Sequence, residues 1–314
     1  MKFVKFEDQL EATWEEFCER SQQDTFLVTR RFLNYHKDRF SDKSLLIYSK
    51  DQLVALFPAS EFGEQNKSIV RHPGITFGGL IHDGRIRGAD FEAIYSGLAG
   101  YYSGTYQSIV VKPIPEIYQK KPNDDEKFGL FRVGAKKTQV NLSSAIKLTR
   151  EYRVSSRRKR NFKKAMKSGL SVGHGMRYLD AFWEILEQNL KSKFGVTPTH
   201  SLDEIYELFR KFPDNLALTV ALRHGKILCG VITFAGENIN HAQYIASNHT
   251  SNEIGGLDFL FQYLIEFSAK SGMEWFDFGT SNLDDSCQLN DGLYQFKSEF
   301  GGGGIAYEQY TLEL

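Results

Sequence analysis

Hydrophobic and polar positions follow two periods along this chain, and the switches between them outline its elements. Met1-Lys2-Phe3-Val4-Lys5-Phe6-Glu7 has an alternating, strand-like pattern. Leu10 to Arg20, with Trp14 and Phe17 three apart, predicts an amphipathic helix. Leu45-Leu46-Ile47-Tyr48 and Leu53-Val54-Ala55-Leu56-Phe57 flank the turn-forming Ser49-Lys50-Asp51-Gln52 and predict a hairpin. Phe91 to Tyr102 is helical by period, and Ser108 to Val111 is a short buried strand ended by Pro113. Gln119 to Lys127 holds no apolar residue and predicts an exposed loop, after which Phe128 to Val140 reads as strand. Asn141-Leu142-Ser143-Ser144 is expected to begin a new element.

The second half repeats the order. Phe182 to Leu190 and Leu202 to Phe209 predict amphipathic helices; Leu216 to Leu222 and Ile227 to Phe234 predict strands joined by His224-Gly225-Lys226. Ala242 to Ala246 is a third strand, Leu257 to Ala269 a strongly periodic helix, and Trp275 to Phe278 and Ile305 to Leu312 are the last strands. Alternating strands and helices imply a mixed α and β architecture. The recurrence of one order of elements in both halves suggests duplication of a domain.

Composition narrows the partners. The 39 basic and 39 acidic side chains cancel, so no net field steers the molecule onto nucleic acid or an anionic membrane, and an anionic partner must be met by a local patch. Cys18, Cys229 and Cys287 are far apart and lack C-x-x-C spacing, which indicates neither a disulfide framework nor a zinc site; reduced thiols in a cytoplasmic protein are the expectation. No stretch approaches the roughly 20 apolar residues of a membrane span, and the first residues contain no signal-peptide core.

Three constellations can carry chemistry. In Arg150 to Lys167 nine basic residues meet a single acid, Glu151. Such a run is often a solvated face, but Ser155 and Ser156 can cap the helix. Its free amide donors would then lie close to Arg157, Arg158 and Arg160, an arrangement suited to a phosphate or other anion. The second constellation runs from Tyr244 through Gly255-Gly256 to the following helix, where glycines let a ligand approach the backbone at a helix N-terminus. The third joins Asp277-Phe278-Gly279-Thr280-Ser281-Asn282, beyond a strand end, to Lys297. Lys297 stands on an aromatic helix between Phe296 and Phe300, at the edge of the packed face, where its stem can be buried and its ammonium steered toward a crevice.

Ser155-Ser156-Arg157-Arg158-Lys159-Arg160-Asn161-Phe162-Lys163-Lys164-Ala165 with Gly169-Leu170-Ser171-Val172, then Phe276-Asp277-Phe278-Gly279, and finally Gly292-Leu293-Tyr294-Gln295-Phe296-Lys297-Ser298-Glu299-Phe300-Gly301 carry a resemblance. The chain resembles the FemAB-like, peptidoglycan-bridge-forming branch of the GNAT acyltransferase superfamily, closely in its second half and loosely in its first. The resemblance implies an α+β fold of two tandem GNAT-like domains, each a mixed, mostly antiparallel sheet flanked by helices. The expected division is residues 1–143 and 144–314, with the donor site in the second.

What the resemblance implies for activity is transfer of an acyl or aminoacyl group from acyl-CoA or aminoacyl-tRNA to an amine, on a sugar, a peptide or a cell-envelope precursor. No metal is called for. The closing lysine of the motif maps onto Lys297. Tyr244, Gly255, Gly256 and Asn282 are the candidate donor-binding residues, and Arg157, Arg158, Arg160 and Tyr294 the candidate substrate-binding ones. Asp277, Glu253 and His241 are candidate bases, none favoured by sequence. No heptad pattern gives the coiled-coil arm of some aminoacyl-tRNA-using members, and Asn252-Glu253-Ile254-Gly255-Gly256 departs from the usual pyrophosphate loop. That loop leaves the donor open; without the arm, and with no net charge, a thioester donor is preferred over tRNA, and polysaccharide biosynthesis is one expected setting. The competing expectation is a catalytically degenerate GNAT-like protein that recognises a glycan or a protein partner.

Overall fold

In the computed structural model, which describes residues 1–63, 67–71, 75–283 and 287–314 (side chains of 36–38, 193 and 194 excepted), the chain folds into two units. The first unit comprises Met1–Asn141 and Ala306–Leu314, and the second Leu142–Ile305. Its elements run β1 (Lys2–Lys5), α1 (Glu11–Glu19), α2 (Arg30–Leu33), β2 (Leu45–Ser49), β3 (Gln52–Phe57), β4 (Ala59–Phe62), β5 (Ser68–Arg71), β6 (Ile81–His82), α3 (Ala89–Tyr102), β7 (Ser108–Val111), α4 (Asp125–Arg132) and β8 (Lys136–Lys147). The chain continues with α5 (Ser156–Lys167), β9 (Ser171–His174), α6 (Leu179–Phe194), α7 (Leu202–Lys211), β10 (Leu216–Arg223), β11 (Lys226–Ala235), β12 (Ile239–Ser247), α8 (His249–Ile254), α9 (Gly256–Lys270), β13 (Trp275–Thr280), α10 (Asp291–Ser298) and β14 (Gly303–Glu313).

In the first unit β1-β2-β3-β6 form an antiparallel sheet, and β4-β5-β7-β14 a second one in which β5 and β7 are parallel. The predicted hairpin is β2–β3, and Lys50 and Asp51 both take the left-handed conformation that a tight hairpin turn demands. Helix α3 lies between the parallel strands in sequence and buries Phe91, Ile94, Tyr95 and Leu98 in the core with Phe57 and Ile109.

Expectations are corrected here: Phe128 to Val140 is not a continuous strand, and the exposed loop expected over Gln119 to Lys127 gives way to helix at Asp125, with Glu126 buried. Residues 125–132 are the helix α4, and extended structure begins at Lys136. The inward face of α4 is Glu126, Gly129 and Leu130, at helical spacing, which leaves Phe128 and Phe131 exposed. Glu126 accepts hydrogen bonds from the Leu80 N–H (2.7 Å) and the Tyr95 hydroxyl (2.6 Å), while Gly129 lets the backbone close on Phe91. Those partners lie tens of residues away, so local alternation of aromatics misassigned the period. Asn141 to Ser144 likewise starts nothing new; it lies inside β8.

In the second unit the strand order is β8-β13-β12-β11-β10-β9, antiparallel throughout except for β12 and β13. The parallel pair is connected by α8 and α9, since parallel neighbours need a crossover rather than a hairpin. Helix α9 packs Phe259, Leu260, Phe261, Leu264 and Ile265 onto Val231, Ala242, Phe276 and Phe278. Phe261 is fully buried at the centre of this cluster, with ring centroids 4.9 Å from Phe278 and 5.4 Å from Phe300. Phe261→Ala should therefore cost about 3–5 kcal/mol in a urea unfolding curve. A loss under about 1 kcal/mol would show that this aromatic cluster does not hold the second unit together.

Candidate active site

The site is built where β12 and β13 part. Their parallel register runs Ile239↔Trp275, Asn240↔Phe276 and His241↔Asp277 and goes no further, although β12 continues to Ser247 and β13 to Thr280. Irregularities on both strands sit just beyond that last pair. The β11–β12 register shifts between Ile232 and Thr233, opposite Tyr244 and Ala242, and the β13–β8 register shifts between Asp277 and Thr280. The second bulge contains Gly279 at φ 75°, a left-handed conformation costly for residues with a side chain. Space is tight as well, because a Cβ there would stand 3.3 Å from His241 Cε1 and the ring would have to shift.

Bulged backbone groups need partners, and two side chains, Asp277 and Lys297, supply them. Asp277, fully buried, accepts the Gly279 N–H on Oδ1 at 3.0 Å; the Ser143 hydroxyl donates to the same oxygen at 2.5 Å. Its other oxygen, Oδ2, lies 2.8 Å from His241 Nδ1. From α10, Lys297 Nζ donates to the Gly279 carbonyl at 2.9 Å and the Thr280 carbonyl at 2.7 Å. Lys297 is only 4% exposed, and burial depresses its pKa to about 8, with the nearby Asp277 charge acting in the opposite direction. Rather than resting at the edge of the packed face, the ammonium is enclosed against backbone oxygens.

The basic constellation divides by face. Ser155 caps α5 by accepting the Arg158 N–H at 3.2 Å, as its position predicts. Arg158 then turns inward: it is 4% exposed, with Nη1 2.9 Å from Asp258 Oδ1 and Nε 2.9 Å from Glu299 Oε2. Its guanidinium lies 4.7 Å from the Phe296 ring centroid. Arg157 and Arg160 stay exposed, Arg157 reaching Glu299 only at 3.9 Å. Arg158 is thus committed to two carboxylates of its own chain, which removes it from the solvent-facing cluster.

Helix α5 also abuts the second constellation. The Asn161 carbonyl would lie 2.9 Å from a Cβ on Gly255, Ser251 Oγ would lie 2.3 Å from one on Gly256, and Lys164 Nζ donates to the Glu253 carbonyl at 2.7 Å. Gly255 takes a left-handed conformation between α8 and α9. Packing alone thus requires both glycines. The Glu253 carboxylate is exposed on α8, 3.8 Å from His249, and is not joined to Asp277 by any contact among the described residues. Asn282 accepts the Leu142 N–H at 2.7 Å and so pins the start of the second unit's share of β8. Tyr244 is buried and its hydroxyl meets His200 Nδ1; half-buried Tyr294 lies beside Gly304. Ser143 escaped the sequence reading because its partner is 134 residues away. His241 was open to recognition only through its register opposite Asp277. No group of three or more potential metal ligands is found among the described residues.

Residues 153–298, just under half of the chain, match the family model of an acetyltransferase (GNAT) domain. No curated protein sequence gives a significant match. Among solved structures, FemX is similar with a TM-score of 0.71 at 12% identity, over 100% of this chain and 98% of that one. The C-terminal domain of a provisionally assigned lysylphosphatidylglycerol synthetase from Agrobacterium fabrum is similar with a TM-score of 0.60 at 12% identity, over 95% and 91%. A tandem GNAT protein from the clavulanic acid biosynthesis pathway gives 0.52 at 11%, over 99% and 98%. The fold is that of tandem GNAT domains, and the matches support the resemblance to FemAB-like acyltransferases. The match to an acetyltransferase (GNAT) domain belongs to residues 153–298, and the structural neighbours bear on the fold.

Because folding lowers the Lys297 pKa from 10.5 to about 8, the unfolded chain binds more protons between those values, and Lys297 makes stability rise as pH increases through that window. Compared with K297M, the wild type should therefore gain about 3 kcal/mol between pH 8 and 10.5, read from paired denaturant curves. A constant difference across that range would mean the ammonium is solvated.

Proposed function

We propose that this chain moves an acyl or aminoacyl group from a carrier to a primary amine on a sugar, a peptide or a cell-envelope precursor, with a CoA thioester favoured over aminoacyl-tRNA as donor. The observation that carries this reading is the opening of β12 from β13 beyond His241 and Asp277, inside the segment matching a GNAT domain, with Lys297 beside it. Past the last register pair the side of β12 that faced β13 has no strand partner among the described residues, so its backbone groups suit a ligand that hydrogen-bonds like a strand. A thioester or ester carbonyl held there would lie near a buried cation. Two of the three N–H donors of Lys297 go to the Gly279 and Thr280 carbonyls, and the third, with no acceptor among the described residues, would serve charge developing on the carbonyl oxygen or the leaving group.

Arg157 and Arg160 are the arginines of the cluster left to hold an anionic part of a substrate or donor. Their helix packs on the Gly255-Gly256 turn, so the two anion-binding expectations converge on one region, near the N-terminus of α9. Such a region fits the phosphates of CoA. The absence of a heptad arm in the sequence supports the same donor, while the name borne by the Agrobacterium fabrum neighbour supports an aminoacyl donor and an envelope acceptor as the alternative. The cytoplasm is where either donor would be met.

Thermal melts with CoA, acetyl-CoA and nucleotide sugars test the donor: a ligand at 100 times its dissociation constant adds about 2.7 kcal/mol. Stabilisation by CoA compounds and not by nucleotide sugars is expected; the reverse would redirect the proposal. K297M should lower turnover about 10²–10³-fold with its fold intact by circular dichroism, as expected for a lost oxyanion donor. Unchanged turnover would assign Lys297 to the bulge alone. R157E/R160E should weaken CoA binding at least about tenfold and flatten its salt dependence while leaving the melting temperature near wild type. R158M, by contrast, should cost about 3–5 kcal/mol of stability because it strands Asp258 and Glu299.

A further inference from the structure

Helix α5 is far more basic than its contacts within the chain require. Residues 150–167 hold nine basic side chains and one acid, out of 39 of each, so 30 basic and 38 acidic ones remain elsewhere and the rest of the chain is net −8. A neutral protein thus concentrates its excess positive charge on one segment. The inward side of α5 is settled by Arg158 and Ala165, which are buried, and by Phe162, whose ring stacks on Phe259 with centroids 6.3 Å apart. The outward side divides into two rows. Arg157, Arg160 and Lys164 form the row on the α8–α9 side, where Lys164 Nζ donates to the Glu253 carbonyl. Lys159, Lys163 and Lys167, each four residues apart, form the other, which runs about 12 Å along the helix. All three are exposed, and no acidic partner for any of them is found among the described residues. Met166 lies at helical spacing beside Lys159 and Lys163 and is 56% exposed.

We propose that the row of Lys159, Lys163 and Lys167, together with Met166, docks the second unit onto an anionic phospholipid surface. Three lysines on one face meet lipid phosphates as point charges, each contributing about fivefold to partitioning onto an anionic leaflet. Their aliphatic stems and the Met166 thioether can lie in the headgroup layer while the ammonium groups stay hydrated. Nucleic acid is the other polyanion such charge could meet, and the make-up of the row speaks against it. Lysine lacks the planar fork that holds a phosphate bidentately, and Met166 offers no π face. Phe162, the aromatic residue of the helix, is turned onto Phe259 and is not presented to a base. Acids elsewhere in the chain do not cancel the attraction, because charges more than about 8 Å from the surface are screened at physiological ionic strength whereas side chains in contact are not. The docking suits an envelope acceptor but does not rest on the acyl-transfer reading, since it is measured without donor, acceptor or turnover.

The test is co-sedimentation of the full chain with vesicles of phosphatidylcholine, either alone or with about one third phosphatidylglycerol. The wild type should pellet with the anionic vesicles only, and raising salt from about 0.1 to about 1 M should release it, as the Debye length falls to about 3 Å. K159Q/K163Q/K167Q, with an unchanged melting temperature, should partition about 100-fold less, and M166S several-fold less. K191Q/K226Q/K270Q, which removes three exposed lysines from other elements, should bind like the wild type. Equal binding to both vesicle types, or an equal loss in the two triple variants, overturns the proposal. So does a wild type that ignores anionic vesicles, and one that instead retains tRNA through the same three lysines assigns the row to nucleic acid. None of these outcomes touches the acyl-transfer reading, which stands or falls on stabilisation by CoA compounds and on the turnover of K297M.

Discussion

One backbone irregularity organises the second unit's candidate site: the bulge at Gly279. A residue in the left-handed region redirects the N–H and carbonyl groups around it, and a buried sheet cannot leave them unmatched. Asp277 takes the amide and Lys297 takes two carbonyls, so both side chains are placed by what the backbone lacks. The same glycine, having no Cβ, admits the His241 ring. A chemically dense cluster thus follows from a single positive φ next to the point where a parallel strand pair ends.

Two buried cations on neighbouring elements illustrate how differently charge is tolerated. Arg158 has a delocalised guanidinium between two carboxylates and beside aromatic rings, so its burial is compensated by charge and by stacking. Lys297 is a point charge whose hydrogen-bond partners are neutral carbonyls, and its lowered pKa records the shortfall. An ammonium held in this way is poorly compensated in the resting protein and has more to gain from an anion that forms during a reaction. Arg158 has no such reserve. This contrast is why the proposal gives chemistry to Lys297 and stability to Arg158.

The basic helix shows how one stretch serves both purposes. Its inward positions, Arg158 and Ala165, anchor α5, while Arg157 and Arg160 face solvent beside the turn that starts α9. Charge density marked the segment, but a helix distributes consecutive residues around its axis. Adjacent arginines therefore acquire opposite roles.

Strong local periodicity made most elements legible from the residues alone: the β2–β3 hairpin, α3, α9, the β10–β11 pair and the capped α5 all lie where their pattern puts them. The motif around Phe276 to Gly279 and the lysine on an aromatic helix were also visible, because residue type and short spacing survive without coordinates. Helix α4 was not, since Leu80, Tyr95 and Phe91 decide which of its faces is buried. Nor was the inward turn of Arg158, or the joining of Ser143, His241 and Asp277, which depends on three strands coming into register. The chain by itself determined its periods, its caps and its charge; which side chains meet was decided by tertiary packing, because contacts between distant residues arise from strand register and from the demand that every buried polar group find a partner.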